Sequence, residues 1–118
     1  MSPRIWHHRI TDILEAIERI QHYTEGMDFE TFQRDSKTSD AVIRNFIVIG
    51  EAARNVPDEI TEQFSTIPWR LMGDMRNFAV HEYWGVELRT VWETIHQDLP
   101  PLILLLREIL KEEPRSQK

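Results

Sequence analysis

The sequence predicts an all-α fold, an up-and-down bundle of four to five helices, and three observations carry the fold class. Apolar residues recur at spacings of three and four along most of the chain, as amphipathic helices require. Glycine occurs only 4 times in 118 residues while leucine, isoleucine, glutamate and arginine are common, a composition that favours helix. No five-residue run alternates cleanly between apolar and polar, so no strand is expected. The length suits one domain with a real core, here residues 1–112, followed by a disordered tail over 113–118.

Each element can be justified in order. The first helix is expected from about Ile5 to Tyr23, with Trp6, Ile10, Ile13, Leu14, Ile17 and Ile20 on one stripe and Gly26 as its stop. A short helix over Asp28 to Arg34 follows, with Asp28 as N-cap. Thr38, Ser39 and Asp40 offer caps for a third helix, about Asp40 to Asn55. Val42, Phe46, Ile49, Ala53 and Val56 form its stripe, widened by Ile43, Ile47 and Gly50. A helix apolar over so much of its circumference belongs at the bundle's centre or against a second subunit. Its few polar residues include Arg44, Glu51 and Asn55, which fall roughly on one line. Pro57 starts a short acidic segment of one or two turns. Pro68 opens the next helix, which is expected to reach about His81, in the position where a missing N–H does no harm. The last helical region spans about Glu87 to Glu112. There Pro100 and Pro101 must kink or restart the helix, and Asp98 is a candidate cap for the restarted part.

Composition narrows the chemistry. With no cysteine there is no disulfide, no thiolate nucleophile and no Cys-ligated zinc. The longest apolar run, Leu102 to Leu106, is far too short to cross a bilayer, and MSPRIWHHRI lacks a signal-peptide pattern, so a cytoplasmic protein is expected. The formal net charge of −6 argues against indiscriminate coating of nucleic acid. It leaves room for a small site with locally placed arginines, because a few fixed cations dominate at contact distance in a cleft.

The sharpest chemical signal lies in RLMGDMRNFAVHEYWGV. On a helix with Arg76 at zero, Asn77 lies near 100°, His81 near 140° and Tyr83 near −20°, while Leu71, Met75, Phe78 and Ala79 cluster at roughly 200–300°. The apolar side has an obvious job in a core. The other side gathers a guanidinium, an amide, an imidazole and a phenol within two turns, which suits a ribose-phosphate linkage. Arginine forks onto phosphate oxygens and holds transition-state charge. Histidine moves protons near neutrality. Spacing alone leaves open a plain solvated face, with His81 as a C-terminal cap and Tyr83 and Trp84 as core aromatics. Other constellations are weaker. His7 and His8 point to different faces, HEYWG is not the H-E-x-x-H zinc pattern, and no metal site or cofactor is expected. Arg4, His7, His8 and Arg9 make a small basic end, read as a solvated one.

Arg76-Asn77-Phe78-Ala79-Val80-His81-Glu82-Tyr83 fits the R-x-x-x-x-H-x-Y motif of the HepT-like HEPN ribonucleases. The segment Ala41 to Ala53, the Ile67-Pro68-Trp69-Arg70 helix start and VWETIHQDLPPL also resemble that family. The likeness extends over about residues 4 to 111. The resemblance implies a helical homodimer in which two motifs meet in a shared RNA-cleaving cleft. It implies metal-independent cleavage by 2′-hydroxyl attack, as the toxin of a toxin–antitoxin pair. Carried over by position, Arg76 and His81 are the catalytic pair, with Asn77 supporting them. Tyr83 matches the tyrosine that an MntA-like nucleotidyltransferase antitoxin modifies with AMP. ATP and magnesium for that step would belong to the antitoxin. Arg44, with Arg54, is a candidate extra RNA contact. The alternative reading is a non-catalytic helical partner or substrate-binding module for the nucleotidyltransferase.

Overall fold

The computed structural model describes the backbone of residues 3–83 and 88–112, with side chains from 5–80 and 88–112. The expected tail over 113–118 lies outside the described residues. Those residues form seven helices and no strand: α1 (Pro3–Tyr23), α2 (Phe29–Arg34), α3 (Ser36–Arg54), α4 (Asp58–Gln63), α5 (Trp69–Tyr83), α6 (Leu88–Gln97) and α7 (Leu99–Leu110). Helices α1, α3 and α5, and the α6–α7 pair counted as one broken helix, supply the four long elements of the expected bundle. The single-turn-scale helices α2 and α4 bridge between them.

Helix α3 is the centre, packed on α1, α5 and α2. Its stripe of Val42, Phe46, Ile49, Ala53 and Val56 is buried, as is every expected α1 stripe residue from Trp6 to Ile20. Each fully buried Ile, Phe or Met side chain contributes about 1.5–3 kcal/mol over its exposed state. Helix α7 closes the opposite side and runs antiparallel to α1. His7 near the start of α1 bonds through Nε2 to the Glu112 carbonyl at 2.9 Å, and Glu18 further along pairs with Arg107 at 3.2 Å.

The turns follow local chemistry. Gly26 adopts φ 76°, a left-handed conformation that ends α1 where a side chain would be strained. Asp28 caps α2 as expected, accepting from the Thr31 amide at 2.8 Å. Helix α3 corrects the expected boundary. It begins at Ser36, capped by Asp35, so Thr38, Ser39 and Asp40 already lie inside it. Asp35 accepts from both the Thr38 amide (3.1 Å) and the Thr38 hydroxyl (2.8 Å), and Thr38 therefore stabilises the cap from the N3 position. These bonds hold both capping carboxyls below their ordinary value of 3.8. At Asp28 the backbone bond from Thr31 leads, and at Asp35 the side-chain bond from Thr38.

The double proline breaks the last region as expected, between Gln97 and Leu99, with both rings in the first turn of α7. Asp98 holds the cap position without a side-chain cap bond, and its backbone is itself right-handed helical. The break is therefore local, with the Asp98 amide still bonded to the Thr94 carbonyl at 3.0 Å. No helix among the described residues is long and apolar enough to cross a membrane.

Candidate active site at the α3–α5 crossing

Helix α5 carries the candidate motif, and its placement begins at its first residues. Ile67 is buried, the Met72 amide bonds to the Pro68 carbonyl, and the Trp69 indole donates to the Phe64 carbonyl at 3.0 Å. The start of α5 is thus pinned to the end of α4. From there Met72, Met75 and Ala79 are fully buried, with Leu71 and Phe78 half-buried beside them. Met72 completes the stripe expected from Leu71, Met75, Phe78 and Ala79. The helix continues past His81 to Tyr83, further than the pattern suggested.

Helices α3 and α5 meet closely at Gly50. A Cβ built there would stand 2.6 Å from the Arg76 Cβ and 3.2 Å from both the Arg76 amide nitrogen and the Met72 carbonyl oxygen. Only glycine lets the two backbones sit this close. Arg76 therefore leaves α5 directly over α3, and its Nε meets Oε2 of Glu51, the residue after Gly50, at 2.6 Å. The same carboxylate oxygen lies 4.0 Å from Nη1 of Arg54. The Arg76 side chain is 38% exposed, so it stays partly open to solvent while its Nε is engaged by Glu51.

The other expected site residues distribute as follows. Asn77 is exposed on the neighbouring arc of α5. His81 and Tyr83 belong to the backbone of α5, and their side chains lie outside the described residues. Helix geometry puts His81 one turn beyond Asn77 on the same arc, and five residues beyond Arg76, a rise of roughly 7.5 Å. Arg44 is exposed on α3, two turns before Glu51 and about 10 Å along the same line. Arg54 is tied to Glu51. At the amino-terminal end, His7 is engaged with the Glu112 carbonyl and Arg9 with Asp12 at 3.7 Å. The side chain of Arg4 lies outside the described residues. Among the described residues no group of three or more His, Asp or Glu side chains is arranged to hold a metal ion.

The structure also identifies residues that sequence reasoning passed over. Glu51 stood out only as one of few polar residues on an apolar helix. The visible signal was the Gly50-Glu51 pair, a helix-breaking residue and a charge adjacent in the widest part of an apolar stripe. Gly73 is a second such signal. It sits in the middle of α5 between Arg70 and Asn77 on the exposed arc, and a Cβ there would meet nothing within 4 Å among the described residues. Val80, two turns on, is an exposed apolar side chain on the same arc.

Comparison with known proteins gives a consistent set of relatives. The family described as HepT-like, ribonuclease HepT-like, matches residues 13–109. A protein of Thermococcus cleftensis named "Probable ribonuclease HepT" is 44% identical over 93 residues, covering 79% of this chain and 84% of that protein. "Putative RNase TTE0752" of Caldanaerobacter subterraneus subsp. tengcongensis is 39% identical over 101 residues, covering 86% of this chain and 90% of its own. "Putative RNase MJ0127" of Methanocaldococcus jannaschii is 36% identical over 101 residues, covering 86% and 84%. No solved structure matches the chain at a comparable level of significance.

Proposed function

The chain belongs to the HepT-like ribonuclease family, and from that premise we propose that it is a cytoplasmic endoribonuclease toxin whose groove is built around Arg76 and His81 of two paired copies. The observation that carries the reading is the partly exposed side chain of Arg76. It is held at the close α3–α5 approach over Gly50, on the same helix as His81 five residues away.

The chemistry follows from RNA itself. Its 2′-hydroxyl is the nucleophile, so the protein need supply only proton transfer and charge stabilisation. An imidazole of His81 takes the 2′-hydroxyl proton as the oxygen attacks phosphorus. The bond from phosphorus to the 5′-oxygen breaks, and that oxygen leaves with a proton from a second acid, for which the copy of His81 in the paired subunit is suited. The products are a 2′,3′-cyclic phosphate and a 5′-hydroxyl. Arg76 binds the non-bridging oxygens and stabilises the charge that accumulates on them in the transition state. Asn77 orients the imidazole or bonds the phosphate, and Arg44 extends the track of cations along α3. No metal is needed for these steps.

Neutralisation fits the same arc. An AMP group on Tyr83, transferred by an MntA-like nucleotidyltransferase from ATP, adds a phosphodiester charge and a nucleoside two residues from His81. It would repel an incoming RNA phosphate and fill the groove.

Expression of the chain alone in a bacterial host tests the reading. Growth arrest is expected, and it should vanish with Arg76→Ala or His81→Ala while far-UV circular dichroism stays helical. Co-expression with the cognate nucleotidyltransferase should restore growth and add AMP mass to the chain, and Tyr83→Phe should escape both effects. Full arrest in both Arg76→Ala and His81→Ala would remove the catalytic assignment.

A further inference from the structure

We propose that Glu51 is a positioning residue for this reaction, fixing the Arg76 guanidinium for phosphate by clamping its Nε side; the inference rests on the functional reading above. Three observations converge on it. The absence of a side chain at Gly50 seats the Arg76 Cβ on the surface of α3, so the arginine stem runs across that helix rather than out into water. The next residue along α3 receives it, with Glu51 Oε2 2.6 Å from Nε. Arg54 approaches the same oxygen from one turn further on at 4.0 Å, so the carboxylate is shared between two guanidiniums.

The chemistry explains why a carboxylate would stand beside a phosphate-binding group. An arginine side chain has many rotamers, and a guanidinium free in solvent must lose that freedom each time it grips a ligand. A guanidinium presents separate donors along its Nε side and at its terminal nitrogens. A carboxylate on the Nε side leaves the terminal fork as the face offered to a phosphate. Two arginines and one glutamate also leave the cluster with a net charge of about +1, so the clamp does not cancel the attraction for phosphate. Glycine lets the arginine lie against α3 and glutamate gives its Nε an acceptor there.

An ordinary surface ion pair of this exposure contributes little to stability, which separates the two roles experimentally. Glu51→Gln and Glu51→Ala are compared with wild type in steady-state cleavage of a short fluorogenic RNA, together with the Arg76 Nε–Hε NMR resonance, assigned by its loss in Arg76→Lys. The expected result is a fall in kcat of about tenfold for Glu51→Ala and less for Glu51→Gln, which keeps an acceptor oxygen. KM should stay unchanged or fall, because a negative charge near the RNA has been removed. The Nε–Hε resonance, sharp and slowly exchanging in wild type, should broaden in both variants, with thermal midpoints close to wild type. A kcat within twofold of wild type in Glu51→Ala overturns the proposal. So does a kcat loss that tracks a fall in thermal midpoint, or a raised KM at constant kcat. If wild type leaves RNA intact, the ribonuclease reading fails. The resonance then still decides whether Glu51 holds the guanidinium, and an unchanged signal in Glu51→Ala overturns the clamp.

Discussion

Helix α5 carries two unlike sides, each marked by a helical glycine. At Gly50 on the facing helix α3, the glycine is accounted for inside the chain, because a methyl there would collide with the backbone and Cβ of Arg76. At Gly73 on the open arc of α5, no described residue comes within 4 Å of where a methyl would be. Glycine in a helix interior costs about 0.5–1 kcal/mol relative to alanine. The first cost secures the arginine at the crossing. The second glycine meets no contact among the described residues, on an arc that also carries Asn77 and exposed Val80. One side of α5 is thus packed by the fold, and the other is the open arc that the proposed function assigns to RNA and the paired copy.

The comparison can be broken or sharpened by substitution. The largest effects are expected at the chemistry. Arg76→Ala should lower RNA cleavage at least roughly 100-fold, the scale for losing one transition-state donor, and His81→Ala by a similar or larger factor. Single-turnover assays on purified variants with unchanged circular dichroism would measure both. Next comes Gly50→Ala. The added methyl forces α3 and α5 apart at Arg76, and overpacking of this kind costs about 1–3 kcal/mol, partly offset by alanine's helix propensity. A lower urea midpoint and roughly tenfold slower cleavage are expected, whereas a variant at least as stable and as active as wild type would deny the crossing its role.

Gly73→Ala gives the reverse pattern and is the sharper probe. With nothing among the described residues to meet the methyl, thermal stability should hold or rise, while cleavage should fall several-fold because the arc no longer admits close approach. Unchanged cleavage would make the arc simple solvated surface. The smallest effect lies at the far end of α3, at the Asp35 cap. Its carboxyl is held below its ordinary value of 3.8. A depressed folded-state value contributes stability that is fully present above the unfolded value and is lost as pH falls through the folded one. Asp35→Asn keeps an acceptor without the charge. The gap in urea midpoint between wild type and variant should therefore be present at pH 7 and shrink below about pH 4.

Much of this architecture was legible in the residues because it rests on periodicity. The stripes of α1 and α3, the prolines that open α5 and break α6 from α7, and the stop at Gly26 all follow from local rules that tertiary contacts do not override. The α3 boundary was misplaced by a turn because Asp35, Thr38, Ser39 and Asp40 are all good caps. Only the bonds made by Asp35 to the amide and hydroxyl of Thr38 select among them. At the site, Arg76 and Asn77 were legible as polar residues opposite an apolar stripe. Glu51 was not, because its meaning lies in a contact between residues 25 positions apart that depends on a missing side chain at Gly50. Periodicity finds faces, and it does not find which two faces touch.

The most direct test of the central claim, that the α5 arc and its arginine cleave RNA without a metal, is end-group analysis of products. Purified protein would be incubated with a defined single-stranded RNA in excess chelator. The account expects 5′-hydroxyl and 2′,3′-cyclic phosphate ends from wild type and none from Arg76→Ala. Cleavage that stops with chelator, that leaves 3′-hydroxyl ends, or that persists undiminished in Arg76→Ala would contradict it.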